Sequence, residues 1–115
     1  MKPVFDSKDI TTTEFEDRWV KFAFGSQGMI KTGALNLGIV EFKPGVQPLA
    51  HRHQTEEALY VIQGEGKIMI GSSWFDLKAG SFVHIPQGEN HLIKSSKDAR
   101  LKILFIFGGK TNIDY

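Results

Sequence analysis

The feature that most constrains this chain is its punctuation. Between residues 21 and 108, glycine, proline and small polar residues break the apolar runs every 8–12 residues, and no segment from 30 to 110 carries a 3.6-residue apolar repeat. Runs that short do not make helices packed on one face; they match strands of ordinary length. The predicted strands are Lys21 to Phe24, Ala34 to Phe42, Ala58 to Ile62, Lys67 to Ile70, Trp74 to Leu77, Ser81 to Ile85, His91 to Lys94 and Leu101 to Phe107. Turn clusters separate them, among them Gly25-Ser26-Gln27-Gly28, Lys43-Pro44-Gly45 and Pro86-Gln87-Gly88. In the second run Leu35, Leu37 and Ile39 share one face, and that face is expected to point inward. An all-β sandwich or barrel is the predicted class.

A chain of 115 residues fits one domain, and nine Phe and two Trp supply material for a core. Residues 1–20 read as an arm or edge strand with Val4, Phe5, Phe15, Trp19 and Val20 as anchors. Asp6-Ser7-Lys8-Asp9 is suited to a single helical turn. Residues 21–108 form the barrel core, and residues 109–115 form a tail. Phe22, Phe24, Met29, Met69, Phe82, Phe105 and Phe107 are expected inside. A formal net charge of +1 with both signs interspersed gives no field for nucleic acid or an anionic membrane. No apolar run approaches 18 residues and the first ten residues lack a signal-peptide core, so a cytoplasmic location is expected. Cysteine is absent, so any metal must be held by nitrogen and oxygen.

The chemistry gathers in two stretches. In Gly45 to Gly64, His51 and His53 stand one residue apart and Glu57 follows four positions later. In a strand, side chains at i and i+2 point the same way, roughly 6.6–7 Å apart. Two such imidazoles can converge on one ion, and a turn through Gln54 and Thr55 returns the chain so that Glu57 adds an oxygen. Glu56 is the competing carboxylate, but Glu57 shares the odd phase of the histidines. In Gly80 to Ser95, the turn at Pro86 and Gly88 leads into His91, which completes the set if the two stretches lie side by side. Alone, a His-x-His pair is more often a surface pair than a metal site. Three imidazoles and one carboxylate together suit a divalent Fe, Mn, Ni, Co, Cu or Zn ion. An octahedral ion so held keeps two positions open, which is a catalytic rather than a structural arrangement.

These two stretches resemble the cupin family. Its first motif, G(X)5HXH(X)3,4E(X)6G, is met by Gly45, His51, His53, Glu57 and Gly64 at every spacing. Its second, G(X)5PXG(X)2H(X)3N, is met by Gly80, Pro86, Gly88 and His91, with Ser95 where the family has Asn. That Asn is not a ligand, so the departure bears on turn chemistry. The resemblance implies a jelly-roll fold and a metal site at His51, His53, Glu57 and His91. It leaves the reaction open, since similar cupins include dioxygenases, decarboxylases, isomerases and lyases.

Other polar residues have weaker readings. His84 reads as a sheet histidine with no role in the site, against the alternative of an acid/base lining the pocket. Tyr60 and Gln63 follow Glu57 on one strand, Tyr60 with the opposite parity. Glu41 extends the phase of Leu35, Leu37 and Ile39 and lies either at the cavity mouth or at a solvated strand end. Arg52 points out of the barrel by alternation, so no pocket cation is expected. The leading functional expectation is a metal-dependent enzyme acting on a small organic molecule, with no general base assigned. The alternative is a non-catalytic module that captures a sugar or carboxylate. Exposed sheet edges, a strand Leu101 to Phe107 apolar on both faces, and the arm point to a homodimer.

Overall fold

The short runs become strands, and their antiparallel pairing builds two sheets. In a computed structural model, the structure describes residues 2–46 and 55–108. A 3-10 turn at Ser7–Asp9 follows Asp6, whose carboxylate accepts from the Lys8 N–H while Asp9 accepts from the Asp6 N–H. The strands are β1 (Thr12–Glu14), β2 (Arg18–Phe24), β3 (Leu35–Phe42), β4 (Glu57–Gln63), β5 (Glu65–Ile70), β6 (Ser73–Lys78), β7 (Phe82–Ile85), β8 (His91–Ser95) and β9 (Leu101–Gly108). One sheet has the order β1-β2-β3-β9-β4-β7 and the other the order β6-β5-β8. The sequence signals thus find their elements, with β2 reaching three residues further back than predicted and β1 as the expected edge strand.

The last strand is inserted between two early ones. Leu101–Gly108 pairs along its full length with β3, from Leu35↔Gly108 to Phe42↔Leu101, and on its other side with β4. Its alternate residues Leu101, Ile103, Phe105 and Phe107 are buried between the sheets. Ile68, Leu77 and Ile93 meet them from the three-stranded sheet. Each such side chain, fully buried, stabilises the fold by about 1.5–3 kcal/mol. Gly64 makes the crossing from β4 to β5 possible: its φ is +97°, and a Cβ there would land on the Arg100 carbonyl.

Three core expectations are corrected. On β3 the buried phase is Asn36, Gly38, Val40 and Phe42, while Leu35, Leu37 and Ile39 point outward. Alternation misled here because the outer face of the large sheet is itself apolar. Gly38 belongs inside because the Phe105 ring occupies the space its side chain would take. Phe82 is 84% exposed, although its ring packs against Tyr60 with centroids 4.8 Å apart. In the arm Val20 is buried and Phe5 packs edge-on to Phe24, but Val4 is exposed and anchors nothing.

Ser95 turns out to be a latch. Its hydroxyl donates to the Lys43 carbonyl at 2.5 Å and accepts from the Val46 N–H at 2.8 Å. Ser95 N–H in turn donates to the Val46 carbonyl, and Gly45 N–H to the Ser96 carbonyl. The segment that enters the first motif is therefore tied to the end of β8, the strand that carries the second. A hydroxyl performs this work because it both donates and accepts. Ser95→Ala removes both side-chain bonds and leaves a partly buried carbonyl and N–H behind, so we expect a loss of about 1–3 kcal/mol in chemical denaturation. An unchanged denaturation midpoint would show that the latch contributes nothing.

Candidate functional site

Glu57 opens β4 with Ile85 of β7 on one side and Phe107 of β9 on the other. The phase of β4 buries Glu57, Leu59 and Val61 and turns Ala58 outward. Glu57 is thereby carried into the interior, 1% exposed. Glu56, one residue earlier, lies outside and accepts from or pairs with His84 Nε2 at 2.7 Å, both side chains being exposed. Alternation along the strand places Glu57 inside and Glu56 outside. It also removes His84 from the interior: His84 is an outer-face histidine, and the alternative of a pocket acid/base is overturned.

His91 arrives from the other sheet. It opens β8 opposite Ile70 of β5, and the alternation of β8 buries His91, Ile93 and Ser95. The turn before it is closed by Glu89 N–H to the Pro86 carbonyl, with Gly88 at φ +74°. The imidazole Nδ1 lies 3.4 Å from the Glu89 carbonyl, which leaves Nε2 directed across the sandwich. There it stands 3.6 Å from Glu57 Oε1. Two residues 34 positions apart in sequence thus meet between apolar sheets. Burial pushes the Glu57 carboxyl up to about 8, because the charged form loses its hydration there. Such a pair can hold a proton between oxygen and nitrogen, or present one oxygen and one nitrogen donor to a cation.

His51, His53, Arg52 and Gln54 lie outside the described residues. Among the described residues no group of three or more His, Asp or Glu side chains comes together; Glu57 and His91 meet as a buried pair, and Glu56 and His84 as an exposed one. Glu41 is not at the cavity mouth. It sits on the outer face of β3, where its carboxylate accepts from Trp19 Nε1 at 2.6 Å. Lys21 and Lys102 flank the same indole, each with its ammonium nearly 6 Å from the ring. Tyr60 and Gln63 also lie away from the interior, as the parity of Tyr60 indicated. Sequence reasoning passed over Asn36, an amide buried on the same inward row as Glu57. Its shared parity with Val40 and Phe42 was the available signal.

Two antiparallel sheets with a carboxylate and an imidazole facing each other inside define a β-sandwich with an internal polar centre. The Cupin_2 family, described as "Cupin domain", matches residues 38–107. The chain belongs to that family. It is 34% identical over 61 residues to an uncharacterised protein of Methanocaldococcus jannaschii, covering 52% of this chain and 49% of that one. It is 32% identical over 76 residues to the dimethylsulfoniopropionate lyase DddW of Ruegeria pomeroyi, covering 66% of this chain and 49% of the lyase. The chain therefore spans about half the length or less of the curated relatives it matches. Among solved structures, the polyketide cyclase RemF from Streptomyces resistomycificus superposes with a TM-score of 0.81 at 16% identity, over 96% of this chain and 81% of that one. At such identity the likeness concerns the fold.

The raised Glu57 carboxyl has a consequence for stability. The unfolded chain releases this proton near a pH of about 4.3, whereas the folded chain holds it to about 8. Stability contributed by the neutral acid is present below the lower value and lost as pH rises through the upper one. For protein stripped with a chelator, we expect the Tm to fall between pH 5 and pH 8 by more in the wild type than in Glu57→Gln. Parallel pH profiles for the two proteins would contradict it.

Proposed function

We propose that this protein is a divalent-metal-binding cupin enzyme acting on a small organic molecule, with His51, His53, Glu57 and His91 as the ligands. The observation that carries the reading is the meeting of Glu57 and His91 across the sandwich. Ligand atoms that share one ion at about 2.1 Å stand roughly 3.0–3.4 Å apart, and 3.6 Å is within a small side-chain adjustment of that. A buried carboxylate is costly unless something compensates its charge, and a cation does so. The motif spacing of His51 and His53 supports the rest of the set.

A bound Fe, Mn, Zn, Ni, Co or Cu ion would supply Lewis-acid polarisation of a carbonyl or enolate oxygen. The chain's own part is to orient and to exclude water. The Glu89 carbonyl beside Nδ1 favours the His91 tautomer that presents Nε2 as a donor. Phe107, buried on the strand position beside Glu57 and stacked on Phe105, keeps bulk solvent away. The name of the similar lyase DddW supports an enzyme. A 30% identity over 74 residues with auxin-binding protein 1 of Arabidopsis thaliana, a binding protein by name, supports the second reading, a module that captures a small ligand.

Elemental analysis of protein purified without added metal is expected to find about one transition-metal ion per chain. His53→Ala and His91→Ala are expected to lose most of it while remaining folded. Full retention in either variant would remove that residue from the ligand set. Substrate-dependent oxygen uptake or absorbance change with catechols, diketones or uronates separates catalysis from capture, and tight binding without turnover would sink the enzyme reading.

The chain is also proposed to form a homodimer through the outer face of the six-stranded sheet. Leu37, Ile39, Leu104, Ile106 and Tyr60 stand there on three adjacent strands, with Ile106 at 39% exposure and Phe82 beside Tyr60. Apolar residues gathered on a sheet's solvent side mark an interaction surface. Sedimentation is expected to give twice the 12.9 kDa chain mass, and Ile106→Lys to give the monomer. A monomeric wild type at micromolar concentration would overturn the dimer. No helix among the described residues is long and apolar enough to cross a membrane.

A further inference from the structure

We infer that the outer face of the three-stranded sheet carries a second ligand site, a lysine-lined groove that takes a phosphate monoester of a small apolar group. Residue parity builds it. Ile68, Leu77 and Ile93 turn inward, so Lys67, Asp76 and Lys94 turn outward on β5, β6 and β8. The register aligns these three in one row across the sheet, with Lys67 between Asp76 and Lys94. A groove of about 500 Å³ lies over this row and is also lined by Glu65, Lys78 and Lys97. Four lysines stand against two carboxylates there, a surplus of two positive charges in a chain whose formal net charge is +1. His91 lies on the inward phase of the same β8 strand, so the groove and the interior centre occupy opposite faces of this sheet.

The charge pattern calls for an anion. Lys67 and Lys94 stand directly opposite each other, and like charges so placed on neighbouring strands are destabilising, their side chains starting roughly 5 Å apart. Lys67 Nζ lies 3.6 Å from Asp76 Oδ1 in an exposed pair, and Lys94 Nζ stands 5.2 Å from the centre of the Trp74 ring. An exposed ion pair of that length contributes little and yields to a better partner. A phosphate monoester carries close to two negative charges at neutral pH and three acceptor oxygens, enough to bridge both ammonium groups. The apolar part is placed by the next row. Trp74, Met69 and Leu92 align on the same outer face, roughly 7 Å along the strands from the lysines. Trp74 is 45% exposed, so its ring is open to a ligand whose anionic end lies on Lys94.

The probes are phenyl phosphate, benzoate and phenol, titrated calorimetrically into the full chain as purified and again after removal of bound metal by a chelator and dialysis. Phenyl phosphate is expected to bind about 10-fold more tightly than benzoate, since its second charge reaches the second lysine, and phenol to give no measurable heat. Lys67→Gln and Lys94→Gln are each expected to weaken phenyl phosphate about 5-fold, the effect of one exposed charge contact. Asp76→Asn is expected to tighten it about 3-fold by freeing Lys67 from its competitor. Lys102→Gln, which removes an ammonium beside the other indole on the other sheet, is expected to change nothing. The substituted groups lie outside the core, and circular dichroism checks that each variant folds. No binding of phenyl phosphate, equal affinity for benzoate, or indifference to Lys67 and Lys94 would overturn the inference. So would binding that disappears with the metal, which belongs to the interior centre. Phenyl phosphate bound through these lysines by metal-free protein supports the groove whatever the outcome for the metal ligands.

Discussion

A carboxylate and an imidazole held opposite each other between two apolar sheets set the terms for the rest of this molecule. Neither Glu57 nor His91 would be buried for packing alone, since desolvating a carboxylate costs far more than an aliphatic side chain in its place. Their meeting demands that β4 and β8, which belong to different sheets, begin at the same level of the sandwich. The architecture is arranged to deliver that. β9 lies between β3 and β4 and fixes the register of Glu57 through Phe107, while β5 fixes that of His91 through Ile70.

The connection between the two motif stretches is mechanical as well as chemical. Ser95 ends β8 and grips the chain at Lys43 and Val46, so one strand carries His91 at its start and secures the first motif at its end. Substituting Ser for the family's Asn leaves a side chain that donates and accepts at once. The departure thus keeps a turn-fastening role. Placement of the two polar groups is therefore coupled to the closure of the sandwich, and movement of one stretch would be felt by the other.

The two faces of the large sheet divide the labour. Inward, Asn36, Phe107 and Glu57 form a row in which polar ends bracket an aromatic middle. Outward, aliphatic residues of β3 and β9 sit near the paired rings of Tyr60 and Phe82, with the Glu56–His84 pair close by. The sheet is thus apolar on both faces. This explains why alternation failed on β3, where the outer phase carries Leu35, Leu37 and Ile39 and the inner one contains glycine and asparagine beside Val40 and Phe42.

Much of the architecture was legible in the residue order. Turn clusters marked strand ends to within a few positions, because glycine and proline act locally on the backbone. Parity chose Glu57 over Glu56, since side chains alternate strictly along a strand. The spacing of the two motifs identified the family. What residue order could not supply was any relation between strands. Whether Leu37 or Gly38 faces the core depends on the Phe105 ring across the sheet. That Glu41 serves Trp19, and that His84 pairs outside with Glu56, depends on which strands become neighbours. The inward row of Asn36, Phe107 and Glu57 joins three distant segments, and only pairing in three dimensions brings them together.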